Sequence, residues 1–162
     1  MGYKRPVLLY VGRVSHEKGI DDFLKLKNAG TKVIVGDGPA RTQLEKQYPE
    51  AVFLGYRKGQ ALGEVYASAD LFVFPSKTDT FGVVVIEALA SGLPVAAYPV
   101  TGPGDIITSE KFGALDTDLG KAVERALATG NPAACAAEGA SYTWENCTRQ
   151  FLANLVPVRG SV

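Results

Sequence analysis

The sequence predicts an α/β domain, one doubly wound parallel sheet with helices on both faces. Short apolar runs of strand length alternate with helical stretches in the order βαβαβαβαβ, the pattern of a parallel sheet built from crossover units. The first four runs each end at a glycine or proline and pass into an irregular turn. In such a sheet these turns share one rim, and the crevice beyond the carboxyl ends of the strands is where ligands bind.

Val7 to Val11, VLLYV, is the first run and stops at Gly12. Its apolar residues are continuous rather than alternating, as a strand covered on both faces requires. The loop GRVSHEKG follows, bounded by Gly12 and Gly19, and IDDFLKLKNAG then carries a helical stripe of Ile20, Phe23, Leu24 and Leu26 up to Gly30. Lys32 to Val35 is the second strand and ends in Gly36-Asp37-Gly38-Pro39. ARTQLEKQY reads as a helix with Pro39 at its first turn. Ala51 to Leu54 makes a third strand, Ala61 to Ala69 a helix, and Leu71 to Phe74 a fourth strand that runs out at Pro75. The stretch VVVIEALA is apolar all round and suits a helix packed on the sheet, with Pro94 to Ala97 as the fifth strand. Gly113 to Leu115 forms a last short strand. Helices are expected over 118–129, 131–142 and 144–155, the last with Thr143 as N-cap, and the tail from Pro157 is expected to fray.

The 162 residues suffice for one domain with a sizeable core. Lys+Arg and Asp+Glu both number 17, so no net field favours nucleic acid. Two cysteines, Cys135 and Cys147, make neither a disulfide framework nor a metal-ligand spacing, in keeping with a reducing compartment. With no signal peptide and no apolar run of membrane length, the expected location is cytoplasmic. Neither G-x-G-x-x-G after the first strand nor G-x-x-x-x-G-K-[ST] occurs, which weighs against a dinucleotide oxidoreductase and a P-loop enzyme. A serine nucleophile elbow is also missing.

The stretch PSKTDTFGVVVIEALASGLP, Pro75 to Pro94, carries the chemistry. Its turn aims free backbone N–H groups from a helix start at whatever lies above it, an anion site in waiting. Glu87 interrupts the apolar helix, and a lone carboxylate there costs several kcal/mol to desolvate unless something pairs with it. A missing ligand is one candidate for that partner. Asp79 stands eight residues earlier, at the helix mouth. An anion at the amides and hydroxyls at the two carboxylates describe a sugar phosphate or a nucleotide. Arg13 and Lys18, in one glycine-bounded loop, can neutralise a diphosphate, although they read equally as two solvated loop charges. His16, between them, receives no role. Gly36-Asp37-Gly38-Pro39 is a turn whose flexible backbone can approach a bulky ligand. Tyr56-Arg57-Lys58 can line a nucleobase or simply form a surface turn.

With GRVSHEKG, GDGP, LFVFPS and TDTFGVVVIEALASGLPVAAY in this order, the chain resembles the C-terminal domain of a family 4 retaining glycosyltransferase, a Rossmann-like half of the two-domain GT-B fold. The resemblance runs from Val7 to about Leu155 and takes residues 1–162 as a single nucleotide-sugar-binding domain. It implies that Gly12, Arg13 and Lys18 grip the donor diphosphate and that the turn from Thr80 through Phe81, Gly82 and Val83 to Val84 holds the phosphates and sugar by its amides. It places Glu87 as the second acid of the E-x7-E motif, on the ribose hydroxyls, and Asp79 as the first acid, near the donor sugar. Here the chain departs from the pattern, which usually has Glu at the first position. Gly36, Asp37, Gly38, Tyr56 and Arg57 match the base-binding rim. The catalytic set so implied is Arg13, Lys18, Asp79 and Glu87, with the leaving group stabilised by charge and amides rather than by a metal or other cofactor.

The donor is expected to be a UDP-sugar or GDP-sugar, bound as substrate. The acceptor, a glycan or lipid, belongs to an N-terminal domain that family members carry and that is absent from these residues, so the chain is expected to be a domain of a longer enzyme and inactive alone. Relatives that work on lipid or polysaccharide at the cytoplasmic face of a membrane add peripheral membrane association of the parent enzyme to what the resemblance implies. A non-catalytic regulatory or interaction module is the alternative. A sugar-nucleotide epimerase or a phosphorylase of the same fold matches TDTFGVVVIEALASG less well.

Overall fold

A computed structural model describes residues 2–27 and 30–155, so the tail from Pro157 lies outside the described residues. Six strands form one parallel sheet in the order β3-β2-β1-β4-β5-β6: β1 (Val7–Val11), β2 (Thr31–Val35), β3 (Val52–Gly55), β4 (Leu71–Phe74), β5 (Val95–Ala97) and β6 (Gly113–Leu115). The order reverses between β1 and β4, which makes their shared edge the topological switch point and the expected ligand crevice.

Every β1 residue is buried, and its alternate side chains feed two cores. Val7, Leu9 and Val11 pack beneath α3 (Gly59–Ser68), α4 (Val83–Ala90), α5 (Pro103–Ile106) and α7 (Pro132–Ser141). Leu8 and Tyr10 face α1 (Ile20–Leu24), α2 (Arg41–Gln47) and α6 (Leu119–Thr129) on the other side. A continuous apolar run is thus what two covered faces demand. The helix α4 is enclosed on a second side as well: a Cβ on Gly139 of α7 would sit 2.1 Å from the Ala90 nitrogen, so only glycine lets the two helices come this close. The final helix α8 (Trp144–Ala153) buries none of its residues, and Thr143 caps it through a bond from the Asn146 amide.

Two expectations need correction, and one element was not expected. The first helix ends at Leu24 rather than running to Gly30, because Lys32 Nζ donates to the Leu24 and Leu26 carbonyls at 2.5 and 2.6 Å and caps the chain there. The second helix starts at Arg41, two residues after Pro39, which belongs to the preceding turn. The short helix α5 was hidden in a loop with no periodicity. No helix among the described residues is long and apolar enough to cross a membrane.

Candidate functional site

The loop after β1 is held on two sides. Gly12 N donates to Val35 O (3.0 Å) and Val14 N to Asp37 O (2.9 Å), prolonging the β1–β2 ladder beyond both strands. Gly36 has φ +136°, and a Cβ there would lie 1.8 Å from Gly12 O; one on Gly38 would lie 2.4 Å from Val14 O. These glycines therefore serve the approach of one loop to its neighbour. At its start the loop is fixed by Tyr10, whose hydroxyl donates to Arg13 O at 2.7 Å while its ring stacks on Phe23.

Further along, a single 3₁₀ turn (His16–Lys18) ends at Gly19, φ +70°, where a Cβ would meet Pro75 O at 2.2 Å. This contact presses the turn against the end of β4, and Lys18 Nζ reaches Asp79 Oδ1 at 2.6 Å. Burial pushes the Asp79 carboxyl up, but bonds from Lys18 and the Ser76 hydroxyl, together with the Lys18 charge, outweigh it and leave it below the usual carboxylate range. Arg13 is looser: it faces Glu17 at 3.5 Å, and both side chains are 63% exposed. His16 pairs with Asp21 at 2.5 Å, away from Lys18.

The turn between β4 and α4 is clamped from outside too. Lys77 Nζ lies 3.1 Å from Asp22 Oδ2 and 4.2 Å from the Tyr98 ring centroid, and the Tyr98 hydroxyl donates to the same Asp22 oxygen at 2.7 Å. Gly102 backs the turn, since a Cβ there would be 3.1 Å from Phe81 O. Gly82 caps α4 in the left-handed region, φ 80° and ψ 59°. Among the described residues the amides of Gly82, Val83 and Val84 donate to no backbone carbonyl, so the helix start presents them outward. They face a cleft of about 340 Å³ that Gly12, Arg13, Lys18, Asp79 and the turn 80–84 line together. A wider groove, about 670 Å³, lies between α1 and α6, but its walls carry Lys25, Lys121, Asp118 and Glu124 with mixed sign and none of the expected site residues.

The remaining site residues stand apart from that cleft. Tyr56 is 68% exposed, and Arg57 bonds its carbonyl at 3.3 Å. Asp37 accepts from its neighbour Gly38 N at 2.8 Å and lies 3.5 Å from Arg41. Glu87 sits a turn further along α4, and it is paired: the Tyr66 hydroxyl of α3 donates to its Oε2 at 2.9 Å. A carboxylate without a protein partner is therefore not what the helix contains. Tyr66 does not stand out in the sequence because a tyrosine in an amphipathic helix looks like core. The signal was available, since Glu87 needed a donor and a buried phenol needs an acceptor. Ser76 was missed for the same reason, being buried at the end of a strand.

A Rossmann-like sheet with a cation-lined cleft at its switch point, closed by the start of α4, is the architecture of one half of a GT-B glycosyltransferase. The chain belongs to that class by family as well: the family described as Glycosyl transferases group 1 matches residues 5–129. The GDP-mannose-dependent alpha-mannosyltransferase of Mycobacterium tuberculosis (strain CDC 1551 / Oshkosh) is 47% identical over 113 residues, 68% of this chain and 30% of that protein. Sulfoquinovosyl transferase SQD2 of Arabidopsis thaliana is 40% identical over 118 residues, covering 68% and 22%. A solved sucrose-phosphate synthase of Thermosynechococcus elongatus superposes with a TM-score of 0.71 at 28% identity, over 93% of this chain and 46% of the other. The chain spans 30% or less of the two curated relatives named. The family match stops at residue 129, so α7 and α8 fall outside it.

Proposed function

We propose that residues 1–162 form the nucleotide-sugar-binding domain of a retaining glycosyltransferase, the donor half of a longer enzyme. The observation that carries this reading is the Lys18–Asp79 pair, which joins residues 61 positions apart in the lining of the same cleft as Gly82, Val83 and Val84. A diphosphate in the cleft takes Lys18 and Arg13 as counter-charges and the amides of Gly82 to Val84 as donors. Asp79 then stands beside the transferred sugar and Glu87 by the ribose. The turns at Gly36, Asp37 and Gly38 and at Tyr56 and Arg57 edge the base.

In the reaction the bond from the anomeric carbon to the diphosphate oxygen breaks, an acceptor hydroxyl oxygen bonds to that carbon with configuration retained, and the hydroxyl proton passes to the departing diphosphate. Negative charge grows on the departing nucleoside diphosphate, where the same cations and amides meet it without reorganising. The mannosyltransferase relative is GDP-mannose-dependent by name, which favours GDP-mannose as the first donor to try, with a UDP-sugar next. The acceptor, a glycan or lipid, is supplied with the rest of the longer enzyme. Membership of a transferase family does not favour the interaction-module reading.

Titration of the chain with GDP, UDP and ADP by ligand-observed NMR tests the donor site. Binding of one nucleotide is expected, weakened tenfold or more, on the order of a lost charged hydrogen bond, by Lys18→Ala and by Glu87→Ala. A folded sample that binds none of the three overturns the reading.

A further inference from the structure

We infer that Tyr66 is a positioning residue for the donor: its hydroxyl fixes the Glu87 carboxylate by one oxygen so that the other is left to receive the vicinal hydroxyls of a ribose. The inference rests on the donor-site reading and adds to it a residue on a different helix, 21 positions away in sequence.

Tyr66 is a stiff support. Only 3% of its surface is exposed, its ring tilts against Phe72 at 6.1 Å, and it belongs to the core cluster with Val65, Phe72 and Leu89. With the ring immobile, the hydroxyl occupies one place, and from there it donates to Glu87 Oε2 at 2.9 Å. Burial, then the Glu87 charge and bond, drive the phenol well above its ordinary pKa, so the proton stays on Tyr66 throughout the physiological range.

Glu87, by contrast, has a side chain of several rotatable bonds on the half-buried face of α4. Among the described residues its carboxylate has no other hydrogen-bond donor, and Oε1 remains open. An ionised carboxylate offers about four lone-pair sites, so an oxygen left open can take two hydroxyls of a cis-diol at once. Held in advance, it does so without first losing its rotamer freedom on binding. The same bond explains how an acid is tolerated in the helix before any ligand arrives.

The test compares the ribonucleotide that the chain binds, GDP or UDP, with its 2′,3′-dideoxy counterpart, by calorimetry on wild type, Tyr66→Phe and Glu87→Asp. Phe keeps the ring and its packing, and Asp withdraws the carboxylate from the phenol without deleting it. Both variants are expected to lose about five- to tenfold in affinity for the ribonucleotide and less than twofold for the dideoxy form. Tyr66→Phe made in a Glu87→Ala background is expected to add no further loss. Equal loss for both ligands makes Tyr66 a purely structural residue and overturns the inference, and so does unchanged affinity in both variants. Wild type that binds neither GDP nor UDP overturns the donor-site reading itself, a result distinct from either.

Discussion

Two pairs of loops share the carboxyl rim of the sheet, and they are built differently. After β1 and β4 two charged pairs cross between stretches far apart in sequence, Lys18 with Asp79 at 2.6 Å and Lys77 with Asp22 at 3.1 Å, beside local pairs such as Arg13 with Glu17. After β2 and β3 the charged residues pair at home. Arg41 takes Asp37 and Glu45, each four residues away, and Arg57 bonds only the carbonyl before it. An i,i+4 pair forms on any helix that carries the right residues and stabilises it by about 0.3–0.5 kcal/mol. A cross-loop pair forms only where the fold has already brought two backbones together. Charge at the rim is therefore a poor guide to the site, and the spacing between loops is a better one.

Glycine sets that spacing, so the comparison breaks most severely at Gly36. Replacing it by alanine drives a Cβ to 1.8 Å from Gly12 O, backbone against backbone, with φ at +136°. Neither partner is a flexible side chain that can swing aside. Urea denaturation of Gly36→Ala is expected to show a loss of about 3 kcal/mol or more. Gly59 is the control: its φ is +55° but a Cβ there meets nothing within 4 Å, so Gly59→Ala pays only the left-handed penalty of about 1–2 kcal/mol. Equal losses at the two positions would show that the contact between the β1 and β2 loops fixes nothing.

This division marks how far the sequence was legible. All six strands and the site helix α4 could be placed from apolar runs of the right length, the first four strands ending abruptly at Gly or Pro, a signal local to each element. Arg13, Lys18, Asp79 and the turn 80–84 were singled out as one site, and the structure gathers them in one cleft. What could not be read depends on distant residues. Lys32 shortens α1 from the next strand, and Tyr66 satisfies Glu87 from another helix. The role of Gly36 and Gly38 is of the same kind, since a flexible turn and a tight loop contact look alike until the neighbouring loop is in place. The four-residue helix α5 is too short to carry any period.

A smaller effect sharpens the comparison on the charged side. The folded pKa of Asp79 lies below its unfolded value, so its contribution to stability is complete above the usual carboxylate pKa of 3.8 and disappears as pH falls through the folded value. Its side chain is 28% exposed, and Lys18 is 30% exposed, which keeps the pair in the range of about 1 kcal/mol. Asp79→Asn is expected to lower stability by that amount at neutral pH and to match wild type in strong acid. Urea midpoints followed from pH 7 downward give the answer. A deficit that persists undiminished into acid would assign the loss to packing or hydrogen bonding of the amide, leaving the charge pair without effect.

The smallest effect belongs to the local pair. Arg41 Nε and Glu45 Oε1 are 2.7 Å apart, nearly as close as Lys18 and Asp79, so distance alone predicts similar contributions. The surroundings predict otherwise. Both ends of the Arg41 pair ride on one helix, Asp37 lies 3.5 Å away as a substitute partner, and no backbone has to be brought in to form the contact. Glu45→Gln is therefore expected to cost about 0.5 kcal/mol or less in the same denaturation experiment and to leave nucleotide affinity unchanged. If it costs as much as Asp79→Asn at neutral pH, the distinction between pairs made by the fold and pairs made by the helix has no energetic basis. If it costs nothing while Asp79→Asn shows its acid-sensitive loss, the stabilising charge on this rim is confined to the loops that line the cleft.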